Sequence, residues 1–165
     1  MYFHERNGAG LFNSAAQTEE VERIAAEREV TLEVATVSNS SEIRTTADSL
    51  AALNVDMFYF TQDSTVASGS EALVQVANEN GIPIITNDIP TVAKGGAVAI
   101  GASLVEDGRQ AGEIAVAFLN GEIDLATTDI QRVSVFDYFI NRDGAAAQGI
   151  ELPQSLIDRA IYQTP

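Results

Sequence analysis

Short apolar runs alternate with helical patterns along most of this chain of 165 residues. Runs rich in β-branched and aromatic residues lie at 31–37, 55–60, 82–86, 97–100 and 133–140. The run at 55–60 lacks apolar–polar alternation, which is typical of a strand covered on both faces. This order of elements predicts the α/β class: a three-layer α/β/α domain whose sheet is mainly parallel, with right-handed crossovers.

Helices are predicted between and after these strands. After a loop containing Gly8, Gly10 and Asn13, the first helix is expected to begin at Ser14, with Gln17 at the capping-box spacing. Further helices are expected over 42–53, 64–80, 103–119, 141–148 and 153–161, the second of these ending at Gly81. The aromatic pair Tyr59 and Phe60 lies inside a predicted strand, so both rings are expected in the core.

Polar clusters follow three of the apolar runs at the point where each strand is predicted to end. Because ligands of open α/β sheets bind outside the carboxyl ends of the strands, these clusters are expected to converge on one edge. Their hydroxyl, amide and carboxylate groups predict a small polar ligand. The clusters are Ser38, Asn39, Ser40 and Ser41; Thr61, Gln62, Asp63, Ser64 and Thr65; and Asn87 and Asp88.

Composition excludes several kinds of site. The absence of cysteine excludes disulfides, thiolate zinc sites and a cysteine nucleophile, and the one histidine, His4, excludes a multi-histidine metal site within one chain. A formal net charge of −15 disfavours nucleic-acid binding. The sequence therefore predicts no catalytic residue, no metal and no cofactor. It also shows neither a signal peptide nor an apolar run long enough to span a membrane, which indicates a cytoplasmic protein or one whose leader has been removed.

Four segments between 37 and 150 resemble one known family in correct order. They are VSNSSEI, YFTQDSTVASGSEALVQVANENGIPIITND, GRQAGEIAVAFLNGE and FINRDGAAAQGI. Together they resemble the substrate-binding proteins of ABC importers, a family that includes binders of aromatic amino acids such as tryptophan-binding lipoproteins. The resemblance implies a type I periplasmic-binding fold, of which residues 1–165 form a single α/β domain, the second of two lobes. It also implies that the 103–121 helix normally packs on the first lobe.

The resemblance assigns ligand contacts to the polar clusters, and each assignment has a structural alternative. Ser38, Asn39 and Ser40 either line the cleft or only turn the chain and cap the next helix. Asp63, Ser64 and Thr65 match the turn that binds a ligand carboxylate, where free backbone N–H groups favour an anion; alternatively, Asp63 holds an ammonium or is only an N-cap. Asn87 and Asp88 match a polar pair that meets the amino group of an amino acid, or they form an Asx turn. Thr61 completes the predicted site.

The helix at 103–121 also predicts a partner. Its stripe of Ile114, Ala115, Phe118 and Leu119 would lack the first lobe, and exposure costs ~1.5–3 kcal/mol per large side chain. We therefore expect a homodimer through this helix. The resemblance further implies an ABC permease as partner and an extracytoplasmic parent protein. Alternatives are a ligand-sensing domain of a regulator, although no helix-turn-helix is present, and a folded remnant without ligand function; an enzyme is disfavoured because no nucleophile with a base is evident.

Overall fold

The computed structural model describes residues 2–5 and 10–164, with side chains over 17–161. Among these residues seven strands form one sheet in the order β2-β1-β3-β4-β5-β6-β7. The neighbours β1–β2, β1–β3, β3–β4, β4–β5 and β6–β7 are parallel. The strands are β1 Tyr2–Glu5, β2 Val34–Val37, β3 Phe58–Phe60, β4 Ile84–Thr86, β5 Val98–Ala102, β6 Phe136–Asn141 and β7 Ala160–Thr164.

Eight α-helices accompany these strands in the described part of the chain. Their bounds are α1 Gly10–Glu27, α2 Ile43–Ala51, α3 Ser64–Ser68, α4 Ser70–Asn80, α5 Ile89–Ala93, α6 Leu104–Leu119, α7 Arg142–Ala147 and α8 Gln154–Ile157. A short 3-10 helix, Ser40–Glu42, precedes α2. The predicted α/β class with a mainly parallel sheet is confirmed.

The order of the first five strands decides where a crevice opens. From β1 the chain passes to one side to form β2, and then returns across to form β3, β4 and β5 in succession. The direction of winding therefore reverses between β1 and β3. In doubly wound sheets ligands bind at such a switch point, outside the carboxyl ends of the strands.

The main core lies on one face of this sheet. Phe58 and Phe60 project from the same face of β3, and together with Ile84 of β4 they are fully buried. The apolar faces of α2 and α4 cover them, and the cluster includes Ile43, Ala47, Leu50, Leu73, Val76 and Ala77. The side chain between the two phenylalanines, Tyr59, points to the opposite face and is half-buried.

The segment that returns after β6 is joined to the sheet by buried amide groups. Asn141 Nδ2 donates to Val92 O at 2.8 Å, and its Oδ1 accepts from Gly144 N at 2.7 Å. Gln148 Oε1 accepts from Ile84 N at 2.9 Å, while its Nε2 donates to Gly95 O at 2.7 Å. The two side-chain amides thus supply the hydrogen bonds that these buried backbone groups would otherwise make with water.

The strands predicted over 31–37, 55–60, 82–86 and 133–140 begin only at Val34, Phe58, Ile84 and Phe136. Three predictions about helices are also wrong. The first helix begins at Gly10 rather than Ser14, so Gly10, Asn13 and Ser14 lie inside α1; Gly8 lies outside the described residues. The helix predicted over 64–80 is interrupted at Gly69, whose backbone leaves helical geometry (φ −104°, ψ 13°) between α3 and α4, and a side chain at this position would collide with Ile43. The helix predicted over 153–161 ends at Ile157, since 160–164 hydrogen-bonds in parallel to β6 as a strand.

The chain divides into two compact units, Met1–Ile100 with Tyr138–Pro165, and Gly101–Asp137. In the second unit α6 follows Ser103, whose N–H donates to Val135 O at 3.0 Å. No residue of α6 is buried, and Val105 and Leu119 are 79% and 81% exposed. Among the described residues no helix combines the length and the apolar character needed to cross a membrane. The assignment of 1–165 to a single domain stays a prediction.

Candidate functional site

The loops after β3 and β4 meet at the carboxyl edge of the sheet. Thr86 Oγ1 donates to Phe60 O at 2.8 Å, which joins the last residues of the two strands. One step further along, Gln62 Nε2 donates to Asn87 O at 3.5 Å. The two polar clusters that follow these strands in sequence are therefore neighbours in space, beside the switch point.

The loop after β2 lies against the junction between α3 and α4. A Cβ on Gly69 would come within 3.0 Å of Ser40 O, which shows how closely the two backbones approach. Only glycine permits this approach, so Gly69 brings the Ser38–Ser41 cluster next to the helix that carries Ser64 and Thr65. All three predicted clusters thus lie along one edge of the sheet.

Within the first cluster, Asn39 is the N-cap of the 3-10 helix. Its Oδ1 accepts from Ser41 N at 3.1 Å and its Nδ2 donates to Glu42 Oε1 at 2.8 Å. The other carboxylate oxygen of Glu42 accepts from Ser38 N at 2.8 Å. Sequence reasoning missed Glu42, although its position three residues after Asn39 is the spacing of a capping box.

The second cluster is organised by Asp63, which is buried at the N-cap of α3. Its Oδ1 accepts from Thr65 N at 2.9 Å and from Val66 N at 3.0 Å. These are the backbone amides that a ligand carboxylate was expected to use. Because Asp63 already occupies them, the groups of this turn that remain exposed to a ligand are those of Ser64, which is exposed, and Thr65, which is half-buried.

The third cluster is held by a different set of contacts. Asp88 N donates to Thr86 Oγ1 at 2.9 Å, and Asp88 Oδ2 accepts from Thr91 Oγ1 at 2.6 Å. The neighbouring Asn87 differs, because its side-chain oxygen is buried and has no hydrogen-bond partner among the described residues. A buried acceptor without a donor costs about 1–3 kcal/mol, so a donor that reaches this oxygen would be favourable there.

Two adjoining cavities lie between α1 and the sheet face opposite the main core. The cavity at the carboxyl edge, the upper cavity, has a volume of about 390 Å³. The lower cavity continues beneath α1 with about 290 Å³. Val21, Ile24 and Tyr59 line both, so the expectation that Tyr59 belongs to the core is wrong. The upper cavity is also lined by Gln17, Glu20, Thr61 and Asn87, and the lower one by Ala25, Arg28, Val30, Leu32 and Met57.

Charge at the upper cavity comes from α1. Arg23 donates to both carboxylate oxygens of Glu20, at 2.8 and 2.6 Å, and to Glu27 Oε1 at 2.5 Å. The hydrogen bonds from Arg23 hold the pKa of Glu20 below its usual value, so Glu20 is an anion at neutral pH. The three side chains together keep one net negative charge. Among the described residues no three histidine or acidic side chains are grouped as a metal site would require.

Comparison with known proteins points to one family. The profile of the family described as ABC transporter substrate binding protein matches residues 8–163. A curated relative, the tyrosine-binding protein of Clostridioides difficile (strain R20291), is 31% identical over 109 residues. That alignment covers 65% of this chain and 30% of the relative.

Solved structures share the fold over nearly the whole chain. A ligand-free, open structure of a substrate-binding protein with adhesive properties from Clostridium difficile has a TM-score of 0.81 at 25% identity, covering 98% of this chain and 52% of that one. An ABC domain from Streptococcus pneumonia in complex with L-Trp has a TM-score of 0.75 at 25% identity, covering 99% and 55%. A conserved domain protein from Vibrio cholerae has the same fold, with a TM-score of 0.77 at 24% identity, covering 99% and 54%. This chain thus spans about half the length of these structures.

Proposed function

The chain belongs to the family of ABC transporter substrate-binding proteins, and we propose that it acts as the solute-binding component of an ABC importer for an amino acid or a similar small polar molecule. The observation that carries this proposal is the meeting of three polar loops at the switch point of the sheet. Two relatives support the class of ligand, since one is named a tyrosine-binding protein and another was solved with L-Trp. Proteins of this family are typically extracytoplasmic, and we place this one there too, with an ABC permease as its partner and no catalytic activity.

The proposed ligand contacts are the polar groups of the three loops. Ser64 and Thr65 are the strongest candidates, because their hydroxyls lie beside the capped turn while Asp63 is engaged by backbone amides. Asn39 and Asp63 orient their loops through the hydrogen bonds described above, and we propose that they also face the ligand. The full proposed set is Ser38, Asn39, Ser40, Thr61, Asp63, Ser64, Thr65, Asn87 and Asp88.

In the intact importer component, transport would begin with closure of two lobes around the ligand by a hinge motion. One lobe supplies part of the contacts, so the affinity of this chain alone is expected to be weak. Isothermal titration calorimetry against the twenty amino acids tests this directly. Binding that weakens at least about tenfold in Ser64→Ala/Thr65→Val, and not in the control Ser49→Ala at an exposed position of α2, supports the proposal. Absence of binding to every amino acid contradicts it.

We also propose a homodimer through the 103–121 helix. The apolar side chains of α6 support it, since Phe118 is 47% exposed and no residue of the helix is buried. Light scattering after size exclusion should give twice the monomer mass, and Leu119→Glu should restore the monomer because a carboxylate is costly to bury. The exposed polar change Glu122→Gln just beyond α6 is the control. A monomer at all concentrations contradicts the proposed dimer while leaving the proposed ligand untouched.

A further inference from the structure

We infer that Lys94 is a positioning residue for the turn that carries Ser64 and Thr65, because its ammonium group fixes the carboxyl end of α3. This inference rests on the proposed function and deepens it, since it names a residue that sets ligand affinity by acting through α3. Lys94 is the one lysine of the chain, and none of the three polar clusters includes it.

The helix α3 is too short to fix its own orientation. It has five residues, Ser64–Ser68, and a helix of that length is stable only when surrounding groups hold it. Asp63 caps its amino end through Thr65 N and Val66 N, and the side chain of Val66 is fully buried in the main core. The last carbonyls of a helix have no partner within the helix. The groups that bind these carbonyls therefore decide where the carboxyl end of α3 lies.

Two side chains from outside α3 bind the carbonyl of Ala67. Ser70 Oγ donates to Ala67 O at 2.8 Å, and Lys94 Nζ donates to the same oxygen at 3.3 Å. Lys94 Nζ also donates to Ser70 Oγ at 3.0 Å, and Ser70 is fully buried, so the ammonium group meets an acceptor that is itself held in place. A lysine at this end of a helix also interacts favourably with the helix dipole. An aspartate thus holds one end of α3 and a lysine holds the other.

The backbone from which the lysine side chain extends is anchored. Lys94 ends α5, in which Val92 is fully buried. Gly95 follows with a φ of 115°, which glycine adopts without strain, and its carbonyl accepts from Gln148 Nε2 at 2.7 Å. Because α5 begins directly after Asp88, the lysine side chain connects the loop after β4 to α3. The second and third polar clusters are therefore joined through Lys94 as well as by the contacts at the edge of the sheet.

Removal of the ammonium group should loosen α3 without unfolding the chain. The cap at Asp63, the buried Val66 and the bond from Ser70 all remain, so the fold should persist. The carboxyl end of α3 should then move more freely. A ligand would have to order the first turn of α3 on binding, and this loss of conformational entropy lowers affinity.

Hydrogen exchange of the ligand-free chain, followed by NMR, measures the order of α3 directly. The reporter is the amide of Ala67, which donates to Asp63 O at 2.8 Å. We expect this amide to exchange at least about tenfold faster in Lys94→Met and at nearly the wild-type rate in Lys94→Arg, which keeps a charged donor. The matched control is Arg44→Met, which removes another exposed cation, bonded to Glu79, and should leave the exchange unchanged. Equal exchange in Lys94→Met and Arg44→Met would overturn the inference.

A second test needs no substitution at Lys94. Lys94 is exposed and carries the only side-chain amine, so acetylation of the folded wild-type chain removes the positive charge at this one side chain. Exchange at Ala67 should then accelerate as in Lys94→Met, whereas acetylated Lys94→Arg should show no acceleration. Urea unfolding of each protein shows whether the global stability is retained, and the acetylated wild-type chain decides the question if Lys94→Met does not fold.

Calorimetry with the twenty amino acids tests the consequence for binding. We expect Lys94→Met to bind the amino acid preferred by the wild-type chain at least about tenfold more weakly, and Arg44→Met and Lys94→Arg to bind it as the wild-type chain does. The loss should persist in about 1 M salt, where charges are screened beyond about 3 Å, because the position of α3 does not depend on screening. A loss that disappears in salt would show that Lys94 acts on the ligand by charge, which would overturn the positioning role.

The outcomes distinguish this inference from the proposed function. If exchange at Ala67 accelerates in Lys94→Met while its affinity equals that of the wild-type chain, the positioning role is wrong and the proposed function stands. If no amino acid binds the folded wild-type chain, the proposed function fails, and the exchange at Ala67 alone decides whether Lys94 fixes α3.

Discussion

Replacing Gln148 should lower the free energy of unfolding strongly with little change in side-chain volume. It is fully buried, and its amide makes three hydrogen bonds: Oε1 accepts from Ile84 N, and Nε2 donates to Gly95 O and Asn78 Oδ1. These bonds attach the returning segment to α4, to β4 and to the loop before β5. Gln148→Leu keeps the approximate volume and removes all three.

The magnitude follows from what each partner loses. Asn78 is exposed, so water replaces its bond. Ile84 N–H opens a buried strand and is left without an acceptor, which costs about 1–3 kcal/mol, and the bond to Gly95 O contributes about 1 kcal/mol more. We expect the free energy of unfolding to fall by about 3 kcal/mol. For a chain of this size that lowers Tm by roughly 6–12 °C.

Urea unfolding followed by far-UV circular dichroism measures this change, with the slope m used to check that both proteins unfold in the same way. The matched control is Gln75→Leu, an exposed glutamine on α4 whose loss should change the free energy by less than about 0.5 kcal/mol. If Gln148→Leu were as stable as Gln75→Leu, the buried amide would contribute nothing net, and the reasoning would be refuted.

Three further changes test other parts of the structure. Gly144→Ala should destabilise the fold by about 2 kcal/mol or more and so lower Tm in thermal unfolding, because the new Cβ would collide with the carbonyl oxygen of Gly95. Gly108→Ala is the control: its Cβ would enter open space, so Tm should rise slightly. Asp63→Ala should cost about 1 kcal/mol in urea unfolding through loss of the α3 cap, and an unchanged midpoint would contradict that role. Arg23→Ala should raise the pKa of Glu20, which NMR titration of its carboxyl carbon measures. Because the folded pKa of Glu20 is lowered, the pair stabilises the fold above the unfolded pKa, and this stabilisation is lost as pH falls through the folded pKa. An unchanged pKa of Glu20 in the variant would show that Arg23 is not its partner.

The placement of the polar clusters was predictable from the sequence, whereas their role in binding stays a prediction. The positions of the polar clusters after β2, β3 and β4 were predicted from runs of a few residues, and the structure brings the three clusters to one edge. Capping by Asn39 and Asp63 was weighed as the structural alternative, and both residues do cap. Strand ends and helix caps depend on residues within about four positions along the chain, so they can be predicted from the local sequence.

Other features depend on contacts that no local pattern records. The strand at 160–164 exists because β6 offers a free edge, although the same residues were predicted to continue a helix. Tyr59 lines two cavities because Val21 and Ile24 of α1 lie across from it, on the sheet face opposite the main core. The need for glycine at position 69 reflects the close approach of Ser40, which lies 29 residues earlier in the chain.

The sequence by itself determined the class of fold, the mostly parallel sheet and the edge at which the polar groups gather, because hydrophobic period and strand-end position are properties of short segments. Only the tertiary structure decided how the returning segment is attached, through Gln148 and Asn141, and which side of the sheet keeps open space beneath α1. Those outcomes come from close packing between distant segments, where one methyl group or one unmet hydrogen bond changes which arrangement is stable.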